Sequence, residues 1–364
     1  MNRRKFVRTA GAVATASVAV AAPAIAQSMP ELKWRMSSSF PKSLDTLFGG
    51  AESYAKRVAQ LTDNKFQIRV FAPGEIVPAL QVLDAVQSNT IEMCQTASYY
   101  FVGKDLTFGF DAGVPFGLTA RQQNAWMNQG GGQQLMRDFM APYNAVPIPA
   151  GNTGVQMGGW FRKEIKTLDD VKGLKMRIPG IGGQVWARLG AVPQQIAGGE
   201  IYPSLERGAI DGAEWVGPYD DEKLGFFKVA PFYYYPGFWE AGTQITVMVN
   251  KNLWDGLPPL YRQILETVGA EVNGEMMARY DNLNPQALRR VVAAGAQLRP
   301  YPREVLAAAW KATHELYDEF SSKNEKFKAV YEPWRKFRDD QYLWFRVAEL
   351  TYENFAFSAA QTVK

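Results

Sequence analysis

The feature that most constrains the fold is an alternation of short β-strands with amphipathic helices, which begins near residue 32. Phe66–Phe71 alternates apolar and polar side chains with a period of two, as a half-buried strand does. Pro78 stands near the first turn of the helix predicted to follow. The first five elements are predicted as Leu32–Ser37 (strand), Asp45–Gln60 (helix), Phe66–Phe71 (strand), Pro78–Val86 (helix) and Ile91–Thr96 (strand). This order is typical of a mostly parallel sheet with covering helices.

A second unit of the same style follows in the chain. Its predicted strands are Val146–Ala150, Val155–Phe161, Leu174–Ile178, Pro231–Pro236 and Ile245–Asn250, and its predicted helices are Gly182–Leu189 and Tyr202–Gly208. No repeat or low-complexity linker separates the units, so we expect the chain to pass between two domains more than once and to form a hinged cleft. The prediction is an α/β fold with domain I at residues 27–153 and about 243–282, domain II at about 154–242 and 283–332, and a C-terminal helix over 333–364.

The first 26 residues have the pattern of an export signal. Two consecutive arginines, a phenylalanine two positions later and a further basic residue lie within Arg3–Arg8, as in twin-arginine signals. An uncharged Ala/Val run, Ala10–Ala26, ends in a small-residue cleavage pattern. A membrane anchor is the alternative, but the run is short and weakly hydrophobic for that role. We therefore predict a signal peptide over residues 1–26 that directs export by the twin-arginine route and is cleaved after Ala26.

The charge balance of the exported chain gives no support for nucleic acid as a partner. The full chain has 40 Lys and Arg residues against 36 Asp and Glu residues. The excess comes from the basic residues of the signal, which are Arg3, Arg4, Lys5 and Arg8. The remaining chain is balanced, so nothing in it favours nucleic acid or an anionic membrane surface.

The cysteine and histidine content excludes several kinds of site. The single cysteine, Cys94, excludes an intrachain disulfide, and with the single histidine, His314, it excludes a His/Cys zinc site of the usual kind. His314 lies in a charged helical stretch and is expected at the surface, outside any recognisable hydrolase motif. A Cys–His dyad or a Ser–His–Asp triad therefore has no motif support.

The C-terminal region is predicted to be helical from Pro302 onward, with a fresh helix start at Glu332-Pro333. Its last part carries apolar residues all around the helix: Tyr342, Leu343, Trp344, Phe345, Val347, Leu350, Tyr352, Phe355 and Phe357. A surface helix needs only one apolar stripe. This helix is therefore buried either at the centre of its own monomer or against a second copy of the chain. We favour the second copy, because a terminal helix rarely reaches the centre of a monomer.

Two charged residues stand out as candidates for a binding site. Glu214 precedes Trp215 within Ala213–Asp221, a stretch too rich in Gly and Pro for a helix. Arg177 ends a short predicted strand before a Pro-Gly turn, where it is placed to grip a carboxylate through two parallel N–H bonds. The alternative for Arg177 is an ordinary surface arginine paired with an acid.

A cation site is a further candidate. Gln156 lies among glycines and offers a neutral oxygen ligand, and Glu240 closes the aromatic segment Pro236–Glu240. Gln156, Glu214 and Glu240 together could hold a hard cation such as Na⁺ or Ca²⁺, with backbone carbonyls completing the shell. Such a cation would offset the cost of placing two carboxylates beside an anionic ligand. The alternative is three unrelated polar residues in surface loops, since nothing in their spacing brings them together.

The segments that carry these residues resemble the extracytoplasmic solute-binding proteins of TRAP (tripartite ATP-independent periplasmic) transporters, and within that family the α-keto-acid binders. The resemblance spans the mature chain and is densest in Gly151–Phe161, Val192–Ile201 and Glu214–Tyr235. It implies a two-domain periplasmic-binding-protein-like fold, a periplasmic location and a homodimer formed through an exchanged C-terminal helix. It also implies the small and large TRAP membrane permease subunits as partners.

The same resemblance implies roles for the residues of the site. The expected substrate-binding residues are Arg177, Gln156, Glu214, Asn152 and Tyr100. The expected cation ligands, for Na⁺ with Ca²⁺ as the alternative, are Gln156, Glu214, the backbone of Trp215 and Glu240. A small 2-oxo monocarboxylate such as pyruvate is expected to chelate the ion through one carboxylate oxygen and its keto oxygen, while Arg177 holds the carboxylate.

Alternatives to this function stay open. Residues 94–101 and 179–184 shape the cleft walls without fixing the preferred acid, so longer 2-oxo acids and 2-hydroxy acids such as lactate are alternatives. A metal-dependent 2-oxo-acid lyase or hydratase would need Glu214 or Glu240 as a base at the substrate C3, and no Lys or His is evident near the proposed ligand. A chemosensory binding protein is a second rival. We predict a binding protein rather than an enzyme.

Overall fold

The computed structural model describes residues 29–361, so the predicted signal peptide and its cleavage site lie outside the described residues. The strands in the described part are β1 (Leu32–Ser38), β2 (Phe66–Phe71), β3 (Met93–Thr96), β4 (Ala145–Asn152), β5 (Trp160–Phe161), β6 (Lys175–Arg177), β7 (Val192–Gln194), β8 (Gly212–Ala213), β9 (Phe232–Tyr235), β10 (Gln244–Asn250) and β11 (Gln297–Pro300). The α-helices there are α1 (Leu47–Leu61), α2 (Val82–Gln87), α3 (Gly109–Ala112), α4 (Ala120–Gln129), α5 (Gly132–Met140), α6 (Gly180–Arg188), α7 (Gly198–Glu206), α8 (Pro218–Leu224), α9 (Lys251–Asp255), α10 (Pro259–Ala293), α11 (Arg303–Lys323) and α12 (Glu325–Ala360).

The strands form two sheets, which confirms the predicted α/β class. The first has the order β2-β1-β3-β10-β4 and the second the order β11-β9-β5-β8-β6-β7. Both sheets are mostly parallel, as predicted, and each contains one strand of opposite direction, because β10 is antiparallel to β3 and β4, and β5 is antiparallel to β8 and β9. These two strands enter their sheets directly from the other sheet, without the crossover helix that makes neighbouring strands parallel. The domain boundaries stay a prediction, although each sheet takes its strands from one predicted domain.

Three connections run between the sheets. Residues 153–159 lead from β4 to β5, and residues 236–243 lead from β9 to β10. The third is α10, which the sequence analysis did not predict and which packs on β4 and α1 and also on α8. The two short connections are bonded to each other, since the Thr153 N–H donates to the Thr243 carbonyl at 3.0 Å and the Thr243 N–H donates to Thr153 Oγ1 at 3.1 Å.

The first short connection corrects the strand predicted over Val155–Phe161. Only Trp160–Phe161 is a strand, and the residues before it are irregular. Gly159 has a φ of +94°, and a Cβ there would lie 2.9 Å from the Ala213 carbonyl oxygen. This left-handed backbone, which glycine alone adopts readily, interrupts the strand and turns the chain between the sheets.

The helix boundaries differ from the predictions at several places. α8 begins at Pro218, within the Ala213–Asp221 segment that was expected to be too rich in Gly and Pro for a helix, because Pro fits the first turn of a helix. α7 begins at Gly198, four residues before its predicted start. The fresh start at Glu332-Pro333 is wrong, because α12 begins at Glu325 and includes Pro333. Asn324 caps α12 by accepting from the N–H groups of Lys326 and Phe327 at 3.0 and 3.1 Å. This cap fixes the start of the helix upstream of Pro333. The helix continues through Pro333 although one backbone hydrogen bond is lost there, because Pro has no N–H.

Buried aromatic side chains and a buried carboxylate hold the second sheet together. Trp160 of β5 stacks on Tyr233 of β9 with ring centroids 3.8 Å apart. Both rings donate to the carboxylate of Asp221 in α8, Trp160 from Nε1 at 2.9 Å and Tyr233 from its hydroxyl at 2.7 Å. Burial raises the pKa of Asp221 to about 7. Buried polar groups of this kind are tolerated because they are hydrogen-bonded.

The last helix has two different halves. Its first half is anchored by the buried residues Phe327, Val330, Tyr331, Trp334 and Arg338. Its second half exposes Tyr342, Leu343, Trp344, Val347, Leu350, Tyr352, Phe355 and Phe357. Burial at the centre of the monomer is therefore excluded for this half. Among the described helices none has both the length and the apolar character that a membrane crossing requires.

Candidate functional site

A small closed cavity lies where the two sheets meet the connections between them. It is lined by Phe40, Leu47, Tyr99, Tyr100, Thr153, Gln156, Arg177, Trp215, Val216 and Ile245. Its volume is about 10 Å³, which is room for about one water molecule. Of the predicted site residues, Arg177, Gln156, Tyr100 and Trp215 line it directly, and Glu214 and Glu240 lie immediately behind its walls.

Arg177 is the positive charge of this site. It is the last residue of β6 and is 1% exposed, so the alternative of a surface arginine is wrong. Its Nε donates to the Ile196 carbonyl at 3.1 Å, and its Nη1 donates both to the Glu214 carbonyl at 2.8 Å and to Glu214 Oε1. The guanidinium also lies over the Trp215 ring, 5.1 Å from its centroid.

Glu214 is placed beside Arg177 by the sheet. β6 and β8 run parallel with Arg177 opposite Ala213, and the Glu214 N–H donates to the Arg177 carbonyl at 3.2 Å. Glu214 is fully buried, and its second oxygen, Oε2, has no hydrogen-bond partner. Burial raises the pKa of Glu214 well above its usual range, Arg177 opposes that rise, and the charge of Glu240 adds to it. An ionised Glu214 is therefore stable here only while it is paired with a positive charge.

Gln156 and Glu240 are brought together by the two short connections. The Gln156 amide nitrogen donates to the hydroxyls of Thr153 at 3.0 Å and Thr243 at 2.8 Å. The Thr243 hydroxyl in turn donates to Glu240 Oε2 at 2.7 Å. These bonds fix the amide so that Gln156 Oε1, which has no partner, is left as an acceptor inside the protein.

Three residues of this network were missed by the sequence analysis, namely Thr153, Thr243 and Tyr99. The two threonines stand three residues from Gln156 and Glu240, a spacing that carries no recognisable motif. The Tyr99 hydroxyl donates to Glu240 Oε2 at 3.3 Å. Burial raises the pKa of Glu240 to about 7, against the hydrogen bonds from Thr243 and Tyr99.

The two other expected donors have different positions. Tyr100 lines the cavity, and burial raises the pKa of its hydroxyl to about 12. Asn152 is buried at the end of β4 but does not line the cavity. Its Oδ1 accepts from the Gly154 N–H at 2.9 Å, and its Nδ2 has no partner. Asn152 therefore shapes the first connection.

The oxygen atoms fit a hard cation. Among the described residues no group of three or more His, Cys, Asp or Glu side chains forms a metal cluster. The available donors are instead two carboxylates and one amide oxygen, and two of these atoms, Glu214 Oε2 and Gln156 Oε1, are buried without a partner. Na⁺ and Ca²⁺ take such a mixture of carboxylate, amide and backbone oxygens.

Polar groups that converge on a cavity where two sheets meet are typical of a ligand-binding site. The comparison with known families agrees, and the chain belongs to the bacterial extracellular solute-binding proteins of family 7, whose model matches residues 37–324. Its members are binding proteins rather than enzymes. A monocarboxylate 2-oxoacid-binding periplasmic protein of Nostoc sp. is 52% identical over 365 residues, which cover 99% of this chain and all of the relative.

Solved structures of TRAP solute-binding proteins have the same fold. One from Bordetella bronchiseptica is 52% identical with a TM-score of 0.91, covers 92% of this chain and all of its own, and is described as a mixed-occupancy dimer with copurified calcium and picolinate. One from Pseudoalteromonas atlantica is 36% identical with a TM-score of 0.86, covers 89% of this chain and 99% of its own, and holds sodium and pyruvate. These neighbours confirm the resemblance to TRAP solute-binding proteins.

Proposed function

We propose that this protein captures a small 2-oxo monocarboxylate of the pyruvate type together with one cation, Na⁺ or Ca²⁺. It then delivers the acid to the small and large membrane subunits of a TRAP transporter. The observation that carries the proposal is a fully buried arginine next to two buried oxygens without partners, Glu214 Oε2 and Gln156 Oε1. The Nostoc relative and the pyruvate-bound neighbour support the ligand class.

Different residues of the site bind the acid and the cation. Arg177 holds the acid's carboxylate through charge-assisted bonds. Gln156, Glu214, Glu240 and the Trp215 backbone hold the cation. A bound cation supplies the positive charge that lets an anion share a buried site with two carboxylates, and it offers a contact for the keto oxygen.

The remaining walls set the size and polarity of the acid. Phe40, Leu47, Val216 and Ile245 line the cavity with apolar surface. Arg177 is the one Lys, Arg or His side chain in the described lining, so a second carboxylate of the ligand would have no positive partner there. The site therefore suits a short monocarboxylate. The lining also offers no Lys or His as a base for enolisation at C3, which favours binding over lyase or hydratase chemistry.

The test is a titration of the exported protein with pyruvate, followed by tryptophan fluorescence, in sodium buffer and in choline buffer. Trp215 lies in the cavity wall and should report occupancy. We expect saturation that requires the cation. Binding that also occurs in choline buffer would contradict the requirement for a cation. The absence of binding in both buffers would contradict a 2-oxo acid as the ligand. A parallel titration with lactate tests the 2-hydroxy-acid alternative, and methyl exchange of pyruvate in deuterium oxide would support the enzyme.

We also propose that the protein is exported by the twin-arginine route, is cleaved after Ala26 and works in the periplasm as a homodimer. The periplasmic Nostoc relative and the dimeric Bordetella neighbour support this assembly and location. The exposed second half of α12 offers the contact surface. Mass spectrometry of the protein purified from periplasm tests the cleavage site directly, because a different N-terminus would have a different mass.

A further inference from the structure

The guanidinium of Arg177 is already engaged on both of its binding edges. A carboxylate gripped by two parallel N–H bonds needs either Nε with Nη2 or Nη1 with Nη2. Nε is taken by the Ile196 carbonyl at 3.1 Å, and Nη1 is taken by the Glu214 carbonyl at 2.8 Å and by Glu214 Oε1. A ligand carboxylate must therefore displace one of these acceptors to be held by two bonds.

The side chain of Glu214 is the acceptor that can leave. The other two acceptors belong to the backbone: the Glu214 carbonyl is held by the β6–β8 pairing, and Ile196 lies in the short connection between β7 and α7. The cavity of about 10 Å³ has no room for an additional carboxylate while Glu214 stays where it is. Because Glu214 and the ligand are both anions, they compete for one guanidinium.

The pairing of the Glu214 side chain with Arg177 is not needed to hold the two strands together. The Glu214 N–H donates to the Arg177 carbonyl at 3.2 Å, and Arg177 Nη1 donates to the Glu214 carbonyl at 2.8 Å. These bonds stay in place when the carboxylate moves. The ion pair can therefore break without disturbing the pairing of β6 with β8.

We propose that Glu214 blocks Arg177 until it is drawn to the cation, so that the cation frees the arginine for the ligand carboxylate. This inference rests on the proposed function. Glu214 Oε2 has no partner, and Gln156 Oε1, across the same site, has none either, so Glu214 has a second destination once positive charge is present there. The acid then needs the cation for two reasons, because the cation frees Arg177 and because it contacts the keto oxygen.

The effect of replacing Glu214 separates this arrangement from simple chelation. Carboxylates without a keto group, such as acetate, also need the cation in the wild type, because they too need a free Arg177. A neutral residue at position 214 removes the competitor, so acetate then binds without any cation. If the cation acted only by chelating the acid, through a carboxylate oxygen and the keto oxygen, the loss of Glu214 would not allow acetate to bind without the cation.

The test compares Glu214→Gln with Asp221→Asn, which removes another buried carboxylate, outside the proposed ligand set, and leaves the Glu214 pair with Arg177 intact. Acetate is titrated calorimetrically into each protein after passage over chelating resin into choline buffer. We expect Glu214→Gln to bind acetate at least about tenfold more tightly than wild type, which is about 1.4 kcal/mol. Asp221→Asn should stay like wild type. Equal affinities in all three proteins, or the same gain in Asp221→Asn, would overturn the proposal.

A measurement on the wild type covers the case in which Glu214→Gln does not fold. The side-chain Nε resonance of Arg177, assigned by its loss in Arg177→Lys, is followed by nitrogen-15 NMR while CaCl₂ is added without any acid. We expect the resonance to move as Glu214 leaves the guanidinium. A resonance that stays fixed at calcium concentrations that saturate the protein would overturn the proposal. Sodium-dependent pyruvate binding by the same wild-type sample would leave the proposed function standing in that event.

Discussion

The ligand cavity and the second half of α12 break the ordinary rules of protein burial in opposite ways. In the cavity, Arg177 and Glu214 are 1% and 0% exposed although they carry charges. On α12, Trp344 and Phe355 are 60% and 76% exposed although they are large and apolar. A buried charge is tolerated when an opposite charge neutralises it. An exposed apolar surface is tolerated when another surface covers it. The proposed partners of the two regions differ accordingly, an ion with its acid for the cavity and a second protein surface for α12.

The largest expected effect is the loss of 2-oxo-acid binding in Arg177→Ala. Removing one partner of a buried, hydrogen-bonded charge pair costs about 2–5 kcal/mol, or roughly 30- to 4,000-fold in affinity. Pyruvate titration in sodium buffer measures it, with thermal unfolding to check the fold. The control is Arg188→Ala, because Arg188 pairs with Glu319 on the surface and is 45% exposed. Affinity in Arg177→Ala within threefold of wild type would remove the arginine from the site.

The counterpart in α12 is the triple variant Trp344→Glu, Val347→Glu and Phe355→Glu. All three side chains are more than half exposed, and charges there should weaken a dimer by at least about 100-fold without disturbing the core. Light scattering across a dilution series measures the mass. The control, Lys336→Glu, lies on the anchored half of the same helix and should keep the wild-type mass. A wild type that is monomeric at every concentration would exclude the dimer outright.

The two regions also differ in how far the sequence could predict them. The apolar residues from Tyr342 to Phe357 are visible directly, because they lie all around the helix, whereas a surface helix shows only one apolar stripe. The alternation of the longer strands with helices along the chain was predictable from hydrophobic periodicity, whereas the short strands β7, β8 and β11 were missed. The direction of β5 and β10 was not predictable, because it depends on which sheet the chain has just left.

The ligand site could be predicted only residue by residue. Arg177, Gln156 and Glu214 stood out by type and context, but their meeting depends on the β6–β8 pairing and on the bonds between two connections. Those are long-range contacts that spacing does not encode. The ion pair of Arg177 with Glu214 was missed for this reason, and so were the hydroxyls that orient Gln156 and Glu240.

A smaller effect is expected from Asp221, a buried carboxylate beside the site. Burial raises its pKa to about 7, whereas an unfolded Asp ionises near about 3.9. The folded protein therefore keeps this proton when the unfolded chain has lost it, so the stability contributed by Asp221 is full below about pH 4 and falls as pH rises to about 7. Asp221→Asn cannot titrate. Between those pH values the free energy of unfolding of wild type should fall relative to the variant by about 1–3 kcal/mol.

Chemical denaturation of both proteins at several pH values measures this difference. The comparison between variant and wild type cancels the carboxylates with lowered pKa values, such as Glu92 beside Arg35, which act in the opposite direction. A constant difference across the range would mean that Asp221 is ionised in the folded protein from low pH.

The smallest effect should come from Tyr99→Phe. This variant measures how much a single hydrogen bond to the buried Glu240 carboxylate contributes to binding. The Tyr99 hydroxyl donates to Glu240 Oε2 at 3.3 Å, a long bond to a carboxylate that Thr243 already satisfies at 2.7 Å. Burial holds the pKa of Tyr99 well above its usual range, so the hydroxyl stays a donor at neutral pH. Its loss should weaken cation-dependent pyruvate binding by about 0.5–1 kcal/mol, or two- to fivefold. Tyr143→Phe, whose ring packs on Phe108 away from the cavity, should bind as wild type does. A loss beyond about 30-fold would mean that Tyr99 also contacts the ligand.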